Sequence, residues 1–253
     1  MKNELDKQFS IKDLGGLKYF LGIEVVRTSE GLVLSQRKYT LDILEDCGLQ
    51  GCRPSSFPIE PNLKLDKGET EQKIGNSLYR RMVGRLLYLQ ATRPDITYAV
   101  NVLSQFVSDP RQNHLNAAHR VLRYLKATVG QGILLPRSGG YNLTAYCDSD
   151  WLGCPFTRRS RTGYLLLLGG APVSWNTKRQ SVVSRSSAEA EYRSMASTVS
   201  EVLWMRWLLQ ELDIPPKGPT PLFCDNQAAR HIANNPVFHE RTKHVEMDCY
   251  FFS

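Results

Sequence analysis

The 253-residue chain lacks any apolar run near the roughly 18 residues that a membrane-spanning helix needs. Its most apolar stretch, Leu165 to Leu168, runs directly into Gly169 and Gly170. No membrane partner is therefore expected. The first ten residues set two lysines against two acids and have no apolar centre, so they do not read as a secretory signal. Cysteine is sparse as well. The six cysteines (47, 52, 147, 154, 224 and 249) form no Cys-x-x-Cys pair, and no histidine pair stands beside them at zinc spacing. A structural zinc site and a disulfide framework are both disfavoured. Reduced thiols and an intracellular location are the expectation. With 42% apolar and 23% charged residues, disorder and coiled coil are excluded as dominant classes.

Acid is also scarce in one half. Residues 1–140 hold 20 basic and 14 acidic side chains, a surplus of +6, whereas residues 141–253 hold 12 and 11, a surplus of +1. A basic half suits a polyanion such as nucleic acid, although a merely soluble basic surface gives the same sum.

In the first half, residues 17–26 and 32–35 are rich in β-formers and flank a Ser-Glu-Gly turn, which predicts a β-hairpin. Residues 39–49 read as a short amphipathic helix, and residues 53–70, with three prolines and a glycine, as a linker. Three helical patterns follow at 78–90, 95–107 and 113–129, separated by Pro94 and Pro110. On the third, Arg120, Arg123 and Lys126 recur every three residues opposite the apolar stripe. As a set they are candidates for tracking a phosphate backbone; singly, each fits a solvated helix face.

The second half alternates differently. Residues 142–148, 162–168 and 171–175 read as strands, with 178–184 a candidate extension of the last and Gly169-Gly170 a two-residue hairpin turn. Ser186 and Glu189 form a capping-box pattern that opens a helix to about Leu212. Residues 222–224 form a short strand, Asp225 and Asn226 cap a helix over 227–233, and residues 243–253 read as a last helix.

Three carboxylates stand out by position. Asp148 and Asp225 close two strands, and strand ends are where open α/β sheets collect their sites. Glu191 falls inside the apolar stripe formed by Ala188, Met195, Val199, Val202 and Leu209, where an acid is costly without a partner. Glu189 falls outside that stripe and is accounted for by capping. Clustered carboxylates repel unless cations lie between them, and hard oxygen ligands suit magnesium or manganese. Two such ions about 4 Å apart can support phosphodiester hydrolysis.

Several stretches carry a resemblance. Residues 145–151 (AYCDSDW), 161–164 (RTGY), 173–175 (VSW), 186–192 (SSAEAEY), 224–228 (CDNQA), 235–239 (NPVFH) and 241–244 (RTKH) resemble the ribonuclease H domain of copia-type LTR retrotransposon Pol polyproteins. Residues 14–25 (LGGLKYFLGIEV), 79–88 (YRRMVGRLLY) and 92–96 (TRPDI) resemble the end of the same polyprotein's reverse transcriptase. The resemblance implies an α/β chain (α+β overall), with a ribonuclease H-like mixed sheet over residues 141–253. A hairpin and helical thumb or connection region would precede it over residues 1–140.

It further implies cleavage of the RNA strand of an RNA–DNA hybrid, with Asp148, Glu191 and Asp225 holding two Mg²⁺ or Mn²⁺ ions. The other parts of the polyprotein would be partners. The family's fourth acid follows a fifth strand and would lie beyond Ser253; Glu246 and Asp248 do not match its position. The polymerase's paired aspartates would lie upstream of Leu14, so polymerase activity is not expected. The alternative is a catalytically inactive remnant that still binds nucleic acid.

Overall fold

The computed structural model describes residues 2–9, 15–61, 63, 65–67 and 70–234. The final helix expected over 243–253, with Glu246 and Asp248, lies outside them. Among the described residues the architecture is mixed α and β, as the fold class anticipated, with two four-stranded sheets.

After a short helix α1 (Lys2–Phe9), the first sheet contains β1 (Tyr19–Phe20), β2 (Ile23–Arg27), β3 (Gly31–Ser35) and β4 (Gly132–Pro136) in that order. The expected hairpin is β2–β3, antiparallel from Glu24↔Ser35 to Arg27↔Leu32. Neither α1 nor β4 was anticipated. The run Gly132-Ile-Leu-Leu-Pro is too short to announce itself, and its partner β3 lies about a hundred residues away in sequence. Glycine is needed at its start, because a Cβ on Gly132 would meet the Leu34 carbonyl oxygen at 2.1 Å.

Between β3 and β4 come four helices: α2 (Arg37–Asp46), α3 (Asn76–Leu89), α4 (Thr97–Ser104) and α5 (Gln112–Ala127). Pro94 opens a 3-10 turn over Pro94–Ile96, so the expected 95–107 helix is divided into that turn and α4. The apolar stripes of the four helices merge in one core, with Ile43, Tyr79, Leu86, Val100, Leu122 and Leu125 all buried. Burial of this kind supplies the main driving force for the helical half.

Arg93 is also buried, at 1% exposure. Its Nε and Nη2 form a fork on Asp95, at 2.9 and 2.7 Å. The same guanidinium reaches the Thr128 carbonyl and hydroxyl at 3.0 and 2.7 Å, and Tyr124 donates its hydroxyl to Asp95 at 2.8 Å. The charge is thus fully answered, and the TRPDI stretch has a structural reason.

The second sheet runs β7-β6-β5-β8. Its strands are β5 (Leu143–Asp150), β6 (Arg161–Leu168), β7 (Ala171–Arg179) and β8 (Leu222–Phe223). The change from one sheet to the other falls between Pro136 and Leu143. Gly169 and Gly170 turn the β6–β7 hairpin at φ of 57° and 84°, the left-handed geometry a two-residue turn demands. β7 runs to Arg179, so it joins the 171–175 strand to the start of the expected extension but ends short of Ser184.

Helix α6 (Ser187–Glu211) lies on one face of this sheet through Met195, Val202, Met205 and Leu209. Ser186 caps it by accepting the Glu189 backbone N–H at 3.2 Å. Glu189 reaches one residue further back than a capping box requires, accepting the Arg185 N–H at 2.9 Å, and pairs with Arg193 at 3.2 Å. These bonds bury Glu189 at 7% exposure, although helical phase alone placed it outside the stripe. α7 (Gln227–Asn234) follows β8.

The halves touch through polar contacts. Trp175 Nε1 donates to the Gln90 carbonyl at 3.2 Å, Arg179 donates to Gln105 Oε1 at 3.1 Å, and Arg161 donates to Asn101 Oδ1.

Candidate active site

Strand pairing brings the two aspartates to one pocket. β5 and β8 are the parallel pair of the sheet, with Ala145 opposite Leu222 and Tyr146 opposite Phe223. Two residues further along each chain stand Asp148 and Asp225. Side chains repeat every second residue in extended chain. Tyr146 and Phe223 stack at 5.1 Å between centroids, and Asp148 and Asp225 follow them. All four, with Cys147 and Cys224, line one open surface pocket. β5 continues to Asp150, so Asp148 sits within the strand rather than at its last residue.

Asp225 had a bland explanation as a helix cap. The structure gives that role to Asn226, whose Oδ1 accepts the Ala229 N–H at 2.9 Å. The Asp225 carboxylate is exposed and accepts no hydrogen bond from the described residues.

Glu191 arrives from α6 and closes the group. It is 5% exposed. Its Oε1 accepts the Ser149 N–H at 3.0 Å and its Oε2 accepts the Cys224 thiol at 3.7 Å, so it spans β5 and the end of β8. Burial, the Asp148 charge and the Asp225 charge, partly offset by the Ser149 N–H, push its carboxyl up to about 7. The phase argument for an inward glutamate is thus matched by position.

Ligand atoms of Glu191, Cys224 and Asp225 lie within 4.8 Å of one another. Asp148 does not join that tight group, but lines the pocket and acts on Glu191 through its charge. Burial raises the Cys224 thiol above its ordinary range and the nearby Glu191 charge adds to this, which keeps it a neutral donor. The remaining donors are carboxylate oxygens. That set fits a hard divalent cation, and a cation would relieve the repulsion that Glu191 bears.

Sequence reasoning missed Cys224, the Ser149 amide and Ser194. Ser194 Oγ donates to the Asp148 carbonyl at 2.7 Å and pins the strand beneath the carboxylate. Its spacing of i+3 from Glu191 was the available signal.

Arg120, Arg123 and Lys126 lie elsewhere and are engaged within the fold. Arg120 pairs with Glu60 at 2.6 Å, Arg123 donates to the Arg53 carbonyl at 2.7 Å, and Lys126 donates to the Cys52 carbonyl at 2.7 Å. They staple residues 50–60 onto α5. That segment contains prolines and little regular structure, so side chains must satisfy its carbonyls.

A mixed sheet with acids gathered at neighbouring strands, docked on a helical half, is the class these features define. The family model for reverse transcriptase (RNA-dependent DNA polymerase) matches residues 1–61. The retrovirus-related Pol polyprotein from transposon RE1 of Arabidopsis thaliana is 45% identical over 249 residues, 98% of this chain and 17% of that protein. The corresponding polyprotein from transposon TNT 1-94 of Nicotiana tabacum is 38% identical over 256 residues, 98% of this chain and 19% of that protein. An uncharacterized mitochondrial protein of Arabidopsis thaliana is 45% identical over 202 residues, 79% of this chain and 83% of that protein. No solved structure matches the chain. The chain belongs to the Pol polyprotein family of copia-type transposons and spans about one sixth of the length of the RE1 polyprotein, 17%. Among the described residues no helix is long and apolar enough to cross a membrane.

Proposed function

We propose that residues 141–253 act as a ribonuclease H-type endonuclease that hydrolyses the RNA strand of an RNA–DNA hybrid. The supporting observation is the gathering of Asp148, Glu191 and Asp225 from β5, α6 and the end of β8, with Glu191 buried against two like charges. Magnesium or manganese, two ions in all, would be held by these three carboxylates. When bound, such ions supply a more acidic water and neutralise charge on the leaving oxygen.

The chain's own residues do the positioning. The Ser149 amide and the Cys224 thiol fix both oxygens of Glu191, so its lone pairs are directed before any ion arrives. Ser194 holds the β5 backbone beneath Asp148. Asp148 and Asp225 stand exposed at the pocket surface, where a scissile phosphate can approach them. A 2′-hydroxyl near the cut distinguishes RNA from DNA. The larger polyprotein would supply the neighbouring segments.

The test is direct. The purified chain is incubated with an RNA–DNA hybrid labelled on the RNA strand, in Mg²⁺ or Mn²⁺. Cleavage of the RNA alone, abolished by Asp148→Asn, is the expected result. Tight hybrid binding without cleavage in either metal would overturn the reading and favour an inactive binding remnant.

A further inference from the structure

The basic surplus of the first half is not spent on α5, whose three regularly spaced cations hold the protein's own chain. Cations from both halves gather at another location. Where the halves meet, a cavity of about 500 Å³ opens at the amino end of α5. Three cations line it, each from a different part of the chain: Lys67 from the segment before α3, Arg111 from the cap of α5, and Arg179 from the end of β7. The cavity therefore exists only when the two halves are docked.

The charge balance is lopsided. Asp109 is the one carboxylate among the lining residues. Its charge is already answered, by Arg111 at 2.8 Å and by Lys73 at 3.9 Å. Lys67 and Arg179 have no ion pair with any described residue. Arg179 is steadied by a neutral acceptor, Gln105 Oε1, at 3.1 Å.

Arg111 supplies a second kind of observation. Its side chain is nine-tenths buried, at 10% exposure. One terminal nitrogen reaches Asp109 and the other the Glu71 carbonyl at 3.3 Å, yet its buried Nε has no hydrogen-bond partner among the described residues. A buried guanidinium nitrogen without an acceptor is unfavourable. Ser108 and Thr157 add hydroxyl donors to the lining, and the helix amino end adds partial positive charge.

These donors suit an anion rich in oxygen acceptors. The two lining rings, Phe106 and Phe156, are engaged with neighbouring rings. Phe106 is stacked on His114 at 3.9 Å, which takes one of its faces, and meets Phe156 edge-on at 5.9 Å. We propose that this junction cavity seats a phosphate of a nucleic-acid backbone, held by Arg111, Arg179 and Lys67. The proposal rests on the nucleic-acid reading above and adds a contact remote from the carboxylates in role.

Hybrid affinity measured by fluorescence anisotropy across a salt series tests it, using the full chain and the exposed-residue variants Arg179→Gln and Lys67→Gln. Each variant is expected to weaken binding about five- to tenfold, and the slope of log affinity against log salt should fall by roughly one. Thermal melting checks that both variants fold. Unchanged affinity and slope in both folded variants would overturn the phosphate seat, even with wild-type cleavage intact. Weakened binding in the variants alongside a wild type that binds but never cleaves would support the seat and sink the endonuclease reading instead.

Discussion

The two halves of this molecule treat buried charge in opposite ways. In the helical half, buried Arg93 pairs with a partly buried Asp95, and the nitrogens and oxygens of the pair are engaged by each other, by Thr128 or by Tyr124. The Asp95 carboxyl suffers burial, but its bonds to Arg93 outweigh it and hold it below its ordinary value. In the sheet half, Glu191 is buried with two more carboxylates nearby and no cation among its hydrogen-bond partners, and its carboxyl rises to about 7. Burial opposes ionisation in both, yet the shifts have opposite sign because the neighbours differ. One arrangement is complete as protein; under the proposed function, a cation from outside would complete the other.

The largest expected effect breaks the complete arrangement. Arg93→Ala leaves a partly buried Asp95 without its cation and with only the Tyr124 hydroxyl as a side-chain donor, and opens a cavity where the guanidinium lay, which should cost about 3 to 5 kcal/mol in urea unfolding. A loss below about 1 kcal/mol would mean that the pair is not what braces α5 against the Pro94 turn.

A somewhat smaller effect sharpens the other side. A carboxyl whose folded value is raised favours the folded state at low pH, and that contribution disappears as pH rises through the folded value. Metal-free protein should therefore lose stability between the ordinary glutamate value of 4.5 and about 7. The loss is of order 3 kcal/mol at most, since one unit corresponds to about 1.4 kcal/mol. Glu191→Gln should flatten this fall and stabilise metal-free protein at pH 8. Asp95 has the opposite sign, its contribution being lost as pH falls through the carboxylate range. An unaltered pH profile in Glu191→Gln would show that the three acids do not repel as described.

The smallest effect concerns the stapling cations. Arg120→Ala removes a partly exposed pair with Glu60, worth about 0.2 to 1 kcal/mol, and should leave hybrid affinity within twofold of wild type. A large drop in hybrid affinity with unchanged stability would return α5 to the nucleic-acid surface.

Much of this was legible beforehand, and the failures have physical causes. Gly169-Gly170, Ser186 and the prolines act locally, so the β6–β7 turn, the start of α6 and the break before α4 could be read from neighbouring residues. Glu191 was legible because helical phase survives into the structure. β4 was not, because a five-residue apolar run gains its identity only by pairing with β3. Arg120, Arg123 and Lys126 were read correctly as lying opposite the apolar stripe, but the stripe cannot say that residues 50–60 return to cover that face. Glu189 was misplaced by phase because its burial comes from the Arg185 amide and Arg193, not from the sheet. Cys224 and Ser149 carry no signal at all, since their contribution is a thiol and an amide brought to Glu191 by strand register.

Everything proposed for the sheet half depends on Asp148, Glu191 and Asp225 binding a divalent cation together. Calorimetric titration of the chain with Mn²⁺ tests it most directly, compared with Asp148→Asn and Glu191→Gln. Saturable binding to the wild type that weakens at least about tenfold in both variants is the expected result. Binding that is absent from the wild type, or equal in all three proteins, would contradict it.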